Sequence, residues 1–255
     1  MDCKSRHCTC PESPPSIASG RRTALKAGLG IALAGAVGAS ALSVSTVSMA
    51  AALTKKERDA LTPDQIIEGM KKGNERFRSG TAHQHDYLAQ KRASAAGQFP
   101  AAVILSCIDS RAPAELILDS GIGDTFNARI AGNVANEDLA GSLEFACAAA
   151  GAKVVLVMGH TDCGAIKGAI DNVQLGNLTG LLAKIKPAID ATQYEGKRTG
   201  SNIEFVDKVA RVNVQNTIDD LRKRSEILAS MEKDGKIKMV GAMYHLSNGK
   251  VEFLT

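Results

Sequence analysis

Ala101-Ala-Val-Ile-Leu-Ser-Cys107 and Lys153-Val-Val-Leu-Val-Met158 are short apolar runs with no polar alternation. A strand with one wet face alternates, so these two must be covered on both faces, as in the parallel sheet of an α/β domain. Between them the spacing predicts a short helix near 114–118, a second strand over 125–130 and a helix over 137–150. That last segment carries Leu139, Leu143, Phe145 and Ala146 at helical intervals. Strands alternating with helices imply right-handed crossovers and a parallel sheet.

Working outward, Thr62-Pro63-Asp64-Gln65 reads as a helix start, with Thr62 as cap, Pro63 at the first turn and Gln65 closing a capping box. Ile66, Ile67, Met70 and Phe77 then line one face, and a more polar helix follows over 87–96. Toward the C-terminus, 202–231 reads as one amphipathic helix with Ile203, Val206, Val209, Val212, Ile218 and Leu221 along a stripe. The runs 237–244 and 251–254 flank Ser247-Asn248-Gly249, a hairpin signal. The expected fold is α/β: a mostly parallel β-sheet with an antiparallel edge strand, flanked by helices, with an N-terminal helical arm. It forms a single domain over 53–255.

Residues 1–52 read differently. Gly20-Arg21-Arg22-Thr23-Ala24-Leu25-Lys26 opens a stretch without charge from 27 to 54, rich in Ala, Gly and Val. Paired arginines before a mildly hydrophobic segment resemble a twin-arginine export signal, and Ser48-Met49-Ala50 offers a small-x-small cleavage site. Residues 1–52 are therefore expected to be an export signal, recognised by the twin-arginine machinery and removed. The protein would then be periplasmic or otherwise exported, or membrane-anchored if the segment is retained. Cys3, His7, Cys8 and Cys10 belong to the polar start of that segment and are read as leaving with it. The formal charge of +4 does not mark a nucleic-acid binder, because most of the excess lies in this leader (Lys4, Arg6, Arg21, Arg22 and Lys26 against Asp2 and Glu12). With no Trp and 4% aromatic residues, a stacking surface for single strands is also excluded.

The first and third predicted strands finish on metal-binding residue types: Cys107 on one, His160-Thr-Asp-Cys163 on the other. Ligands gather at the carboxyl ends of parallel strands, so both sets face one crevice. Two thiolates and an imidazole suit tetrahedral zinc and leave a fourth position open, the mark of a catalytic rather than a structural site. Taken singly, each residue also fits a buried core role, as Cys147 does on its apolar helix. A redox reading of Cys107 and Cys163 lacks a Cys-x-x-Cys pair. Asp109 and Arg111 follow Cys107 closely enough to reach the open position; by spacing alone they are equally a solvated ion pair.

Cys107-x-Asp109-Ser110-Arg111, then Gly123-Asp124-x-Phe126-x-x-Arg129-x-Ala131-Gly132-Asn133, then Gly159-His160-x-x-Cys163-Gly164 together resemble the β-class carbonic anhydrases. The similarity runs from about 66 to 254 and includes Gly141-Ser142-Leu143-Glu144 and the Gly249-Lys250-Val251 hairpin. It implies one Zn2+ per chain on Cys107, His160 and Cys163, with Asp109 and Arg111 as a catalytic dyad. It also implies Gln98 and the Gly164 N–H as substrate-binding groups. The implied reaction is reversible hydration of carbon dioxide to bicarbonate and a proton by metal-bound hydroxide. A homodimer, or a dimer of dimers, follows from the same resemblance, with residues of both chains lining each site. Ala112 and Ala114 stand where larger residues or Pro are usual, which bears on pocket shape alone. Carbonyl sulfide or carbon disulfide hydrolysis on the same scaffold is the alternative. A non-catalytic zinc-binding module would be marked by loss of Asp109 or Arg111, and both are present. The nearest histidines for a proton shuttle are His83 and His85, which read more simply as surface residues.

Overall fold

The computed structural model describes residues 52–254, so the leader and the expectations placed on it lie outside the described residues. The arm begins with α1 (Lys55–Ala60) and α2 (Pro63–Ser79), each opened by a capping box: Thr54 with Glu57, and Thr62 with Gln65. Satisfying two backbone N–H groups at each start fixes where these helices begin. The second ends at Gly80, whose φ of 71° closes the last turn in the left-handed region. Its buried face includes Ile66, Met70 and Gly73. At Gly73 a Cβ would lie 2.0 Å from the Leu118 carbonyl oxygen, so only glycine permits the contact. A polar third helix, α3 (Tyr87–Ser94), completes the arm.

The body is a five-stranded sheet. In chain order its elements are β1 (Ala102–Ser106), α4 (Ala114–Ile117), β2 (Thr125–Arg129), α5 (Glu137–Glu144) and β3 (Val154–His160). Then come α6 (Gly164–Ile170), α7 (Gly176–Ala183), α8 (Lys186–Ala191), α9 (Ile203–Arg224), α10 (Glu226–Lys233), β4 (Lys238–Tyr244) and β5 (Val251–Leu254). Strand order is β2-β1-β3-β4-β5; the first four are parallel and β5 runs antiparallel along the edge. Every residue of β1 and β3 is buried, as their unbroken apolar composition requires. Alternate residues feed two layers. Val103, Leu105, Val155 and Val157 pack under α9 with Phe205, Val209 and Ile218. Ile104 and Leu156 face Ile66, Met70 and Ile117. Cys107 continues the first alternation and lies on the α9 side.

Two expectations need correction. The 202–231 segment is two helices, because Ser225 (φ −122°) leaves the helical region and its hydroxyl accepts the Leu228 N–H to cap α10. That hydroxyl also donates to Glu144, fixing the break against α5. Phe145, predicted on the buried face of 137–150, is exposed. Its position falls off the stripe formed by Ala140, Leu143 and Cys147, so it turns outward to meet Phe126 edge to face, and a π-type turn over Phe145–Ala149 follows.

Candidate metal centre

The strand register builds the centre. Ser106, the last residue of β1, sits beside Met158 of β3, so Cys107 and His160 emerge at one edge of the sheet. A tight turn through Asp162 (φ 57°) then returns Cys163 to them as the residue before α6. The Cys107 and Cys163 sulfurs are 3.9 Å apart, and the donor atoms of Cys107, His160 and Cys163 all lie within 4.8 Å of one another. All three side chains are buried.

The imidazole state follows from its neighbours. His160 Nδ1 is 2.8 Å from the Thr161 carbonyl oxygen, which can only accept, so Nδ1 carries the proton. Nε2 is then a bare lone pair, buried without a hydrogen-bond partner among the described residues. A buried unsatisfied acceptor is costly, and here it stands among two thiols. The Cys107 thiol is pushed well below its ordinary range by the hydrogen bond from Cys163, helped by the Gly132 N–H, against the cost of burial. Sharing that charge pushes Cys163 upward. Two adjoining sulfurs, which a cation can deprotonate, and an oriented imidazole fit zinc in type and number. Cys147, by contrast, is pushed up to about 12 by burial alone, as a core residue should be.

Asp109 stands at the open side. Its oxygens accept from Arg111 Nε at 3.0 Å, Arg111 Nη2 at 2.8 Å and the Arg111 backbone N–H at 2.9 Å. That bidentate grip holds the carboxyl at about 2, and Oδ2 lies 3.8 Å from His160 Nε2. A cavity of about 370 Å³ opens here, with Asp109 and Gly164 on its polar side and Ala131, Val173, Leu178 and Leu182 on its apolar side.

The structure thus brings together Cys107, His160, Cys163, Asp109, Arg111 and Gly164. It does not bring Gln98 to them: that residue is exposed and does not line the cavity of its own chain. His83 and His85 are also elsewhere, at 3.0 and 3.1 Å from the carboxylate of Asp119, which Arg76 Nε contacts as well at 2.5 Å. Gln90 Oε1 accepts the Ile122 N–H, so its Nε2 donates to His85 Nδ1 and the ring presents Nε2–H to Asp119. With a guanidinium and an N–H already on the carboxylate, this second cluster is built as a hydrogen-bond hub rather than a cation site. Reading by motif also left three supports unrecognised. Arg129 Nε and Nη2 donate to the Cys107 and Asp109 carbonyls at 2.9 and 2.6 Å, strapping the loop that carries the dyad. Asp207 accepts the Asp162 N–H at 2.7 Å, and Asn213 donates to the Gly132 carbonyl at 2.8 Å. Both belong to α9, where a buried amide within an apolar stripe was the available signal.

Comparison with known proteins agrees with this geometry. A family model described as carbonic anhydrase matches residues 102–251. Carbonic anhydrase 2 of Mycobacterium tuberculosis is 34% identical over 194 residues, covering 74% of this chain and 91% of the relative. Among solved structures, the β-carbonic anhydrase CafA of Aspergillus fumigatus superposes with a TM-score of 0.57 at 24% identity, covering 75% of this chain and 89% of that one. One of the tetrameric β-carbonic anhydrases of Sordaria macrospora gives 0.55 at 24% identity, covering 63% and 83%. At that identity the superpositions speak for the fold, and the sequence relatives for the family. With its strand order, its Cys–His–Cys cluster and these relatives together, the chain belongs to the carbonic anhydrase family, enzymes that hydrate carbon dioxide.

Proposed function

We propose that Cys107, His160 and Cys163 hold one zinc ion per chain and that Asp109, Arg111 and Gly164 complete a carbon dioxide hydration site around it. The observation that carries the ligand assignment is the His160 ring: Nδ1–H is anchored on a carbonyl, and the free Nε2 lone pair is buried among two thiols. When bound, zinc supplies a Lewis acid that brings the pKa of a coordinated water from ~15.7 toward ~7.

The chain's own residues supply the rest. Asp109, kept ionised by Arg111, accepts a hydrogen bond from the attacking oxygen and so aims its lone pair into the cavity. The Gly164 N–H, at the start of α6, donates to a substrate oxygen. Ala131, Val173, Leu178 and Leu182 give an uncharged linear molecule an apolar wall and keep competing water away. Gln98 is exposed and outside its own chain's cavity, which fits a role at the site of a second protomer in a homodimer or dimer of dimers. The paired Arg21-Arg22 and the uncharged stretch after them support twin-arginine export and a periplasmic location.

The test is zinc content by elemental analysis alongside stopped-flow CO2 hydration for the wild type and Cys163→Ser. The wild type should carry one zinc and turn over, while the variant loses most of both. A fully zinc-loaded, active Cys163→Ser protein would reject the ligand set.

A further inference from the structure

Gly132 and Asn133 both adopt left-handed backbone, at φ 69° and 44°, which lets the chain fold back under Cys107. The turn delivers one specific contact: the Gly132 N–H donates to the Cys107 sulfur at 3.3 Å, in a buried setting. Glycine suits the position, since a side chain would carry the strain of a positive φ and would press on Ile185 Cδ1 at 2.9 Å. A non-glycine residue such as Asn133 persists in the left-handed region only where surrounding contacts hold it.

The turn is closed by the Asn133 N–H donating to the Ile130 carbonyl at 2.9 Å and is held from outside by α9. The Asn213 amide donates to the Gly132 carbonyl at 2.8 Å, again fully buried. Asn213 is 2% exposed and sits on a helix whose neighbouring buried residues are Val209, Ala210 and Val214. An amide buried among apolar side chains is destabilising unless it is hydrogen-bonded, so this bond gives the residue its reason to be there. The same helix sends Asp207 to the Asp162 N–H, pinning the left-handed residue between His160 and Cys163.

We propose that Asn213 is a positioning residue for the metal centre: by fixing Gly132 it holds the N–H against the Cys107 sulfur and so sets the charge and placement of that ligand. This rests on the reading of Cys107 as a zinc ligand. An N–H···S bond withdraws charge from a thiolate and fixes its direction, and groups of this kind behind a metal ligand typically change metal affinity by about 10- to 100-fold when removed.

The experiment uses the full chain and compares wild type, Asn213→Leu and Val214→Ala. Leucine nearly preserves volume and removes the hydrogen bond; Val214→Ala, on the same helix, opens a cavity beside Gly159 of β3 and leaves the hydrogen bond in place. Zinc affinity is measured by chelator competition, and the cobalt(II)-loaded forms report their thiolate-to-metal charge-transfer band. Asn213→Leu should weaken zinc by about 10- to 100-fold and move the band to longer wavelength, whereas Val214→Ala should lower Tm while keeping affinity and band. If the leucine variant does not fold, Asn213→Ala carries the same comparison. Wild-type affinity and band position in the Asn213 variant, or equal shifts in Val214→Ala, would overturn the proposal. A wild type that binds neither ion would overturn the ligand assignment beneath it, and is recognised by the absence of any band.

Discussion

A two-residue spacing makes Asp109 and Arg111 act as a unit. The guanidinium closes on both carboxylate oxygens while the Arg111 backbone N–H closes on one of them. The ion pair therefore holds the carboxylate charged and fixes where it points, 3.8 Å from His160 Nε2. Residues that share one task are strongly non-additive. Asp109→Asn should keep its zinc yet lose about 100-fold or more in CO2 hydration, the usual scale for a positioned proton acceptor. Arg111→Ala should fall by a comparable factor, and the double variant should be little worse than either. Multiplying losses in stopped-flow assays would show that the two side chains act separately.

At the scale of elements, composition accounts for much of the outcome. The unbroken apolar runs became the two fully buried strands, and the capping box at Thr62 became the start of α2. Cys107 and His160 were legible because parallel pairing brings neighbouring strand ends to one edge, which needs only strand order, whereas Cys163 reaches them through the turn at Asp162. What stayed hidden depends on contacts remote in sequence. Ser225 breaks the long helix through a bond to Glu144, and the π-type turn over Phe145–Ala149 has no local sequence signal. Gln98, expected beside the metal ligands, lies exposed outside their cavity, and no local pattern in the sequence signals that. The antiparallel edge strand β5 shows the same dependence, since Glu252 is gripped by Arg211 Nη2 at 2.6 Å and by His245 Nε2 at 3.1 Å. Arg211, with His245 adding to it, lowers the Glu252 carboxyl to about 2 from its ordinary 4.5. A carboxyl depressed by folding stabilises fully above the unfolded value and loses that contribution as pH falls from about 4.5 toward 2. Because Arg211 and Glu252 are 43% and 39% exposed, solvent screening keeps the gain below about 1 kcal/mol. Glu252→Gln should therefore lower Tm slightly at pH 7, and the two melting curves should converge near pH 2. A constant gap across that range would assign the effect to packing instead.

Across the whole molecule, the proposed ion joins parts of the chain that the sheet alone leaves only adjacent. Cys107 and Cys163 are 56 positions apart in sequence, and their loops are separately braced by Arg129 and by Asp207 of α9. Folding assembles the donor set, so metal affinity appears as folding free energy: free zinc at about 1,000 times its dissociation constant adds roughly 4 kcal/mol to the native state. For a domain of this size that is of order 10 °C in Tm. The sign of its pH dependence is set by the thiols. With no ion bound, the two adjoining buried sulfurs share at least one proton between them, so metal uptake must expel it. Protons then compete with zinc, and the stabilisation shrinks as pH falls. Calorimetric scans of zinc-loaded and chelator-treated protein should differ by about 10 °C at neutral pH, with the gap closing on acidification. Equal melting temperatures at neutral pH would mean that the ion does not couple the two strand ends, and a gap unchanged by acid would mean that its ligands are not thiols.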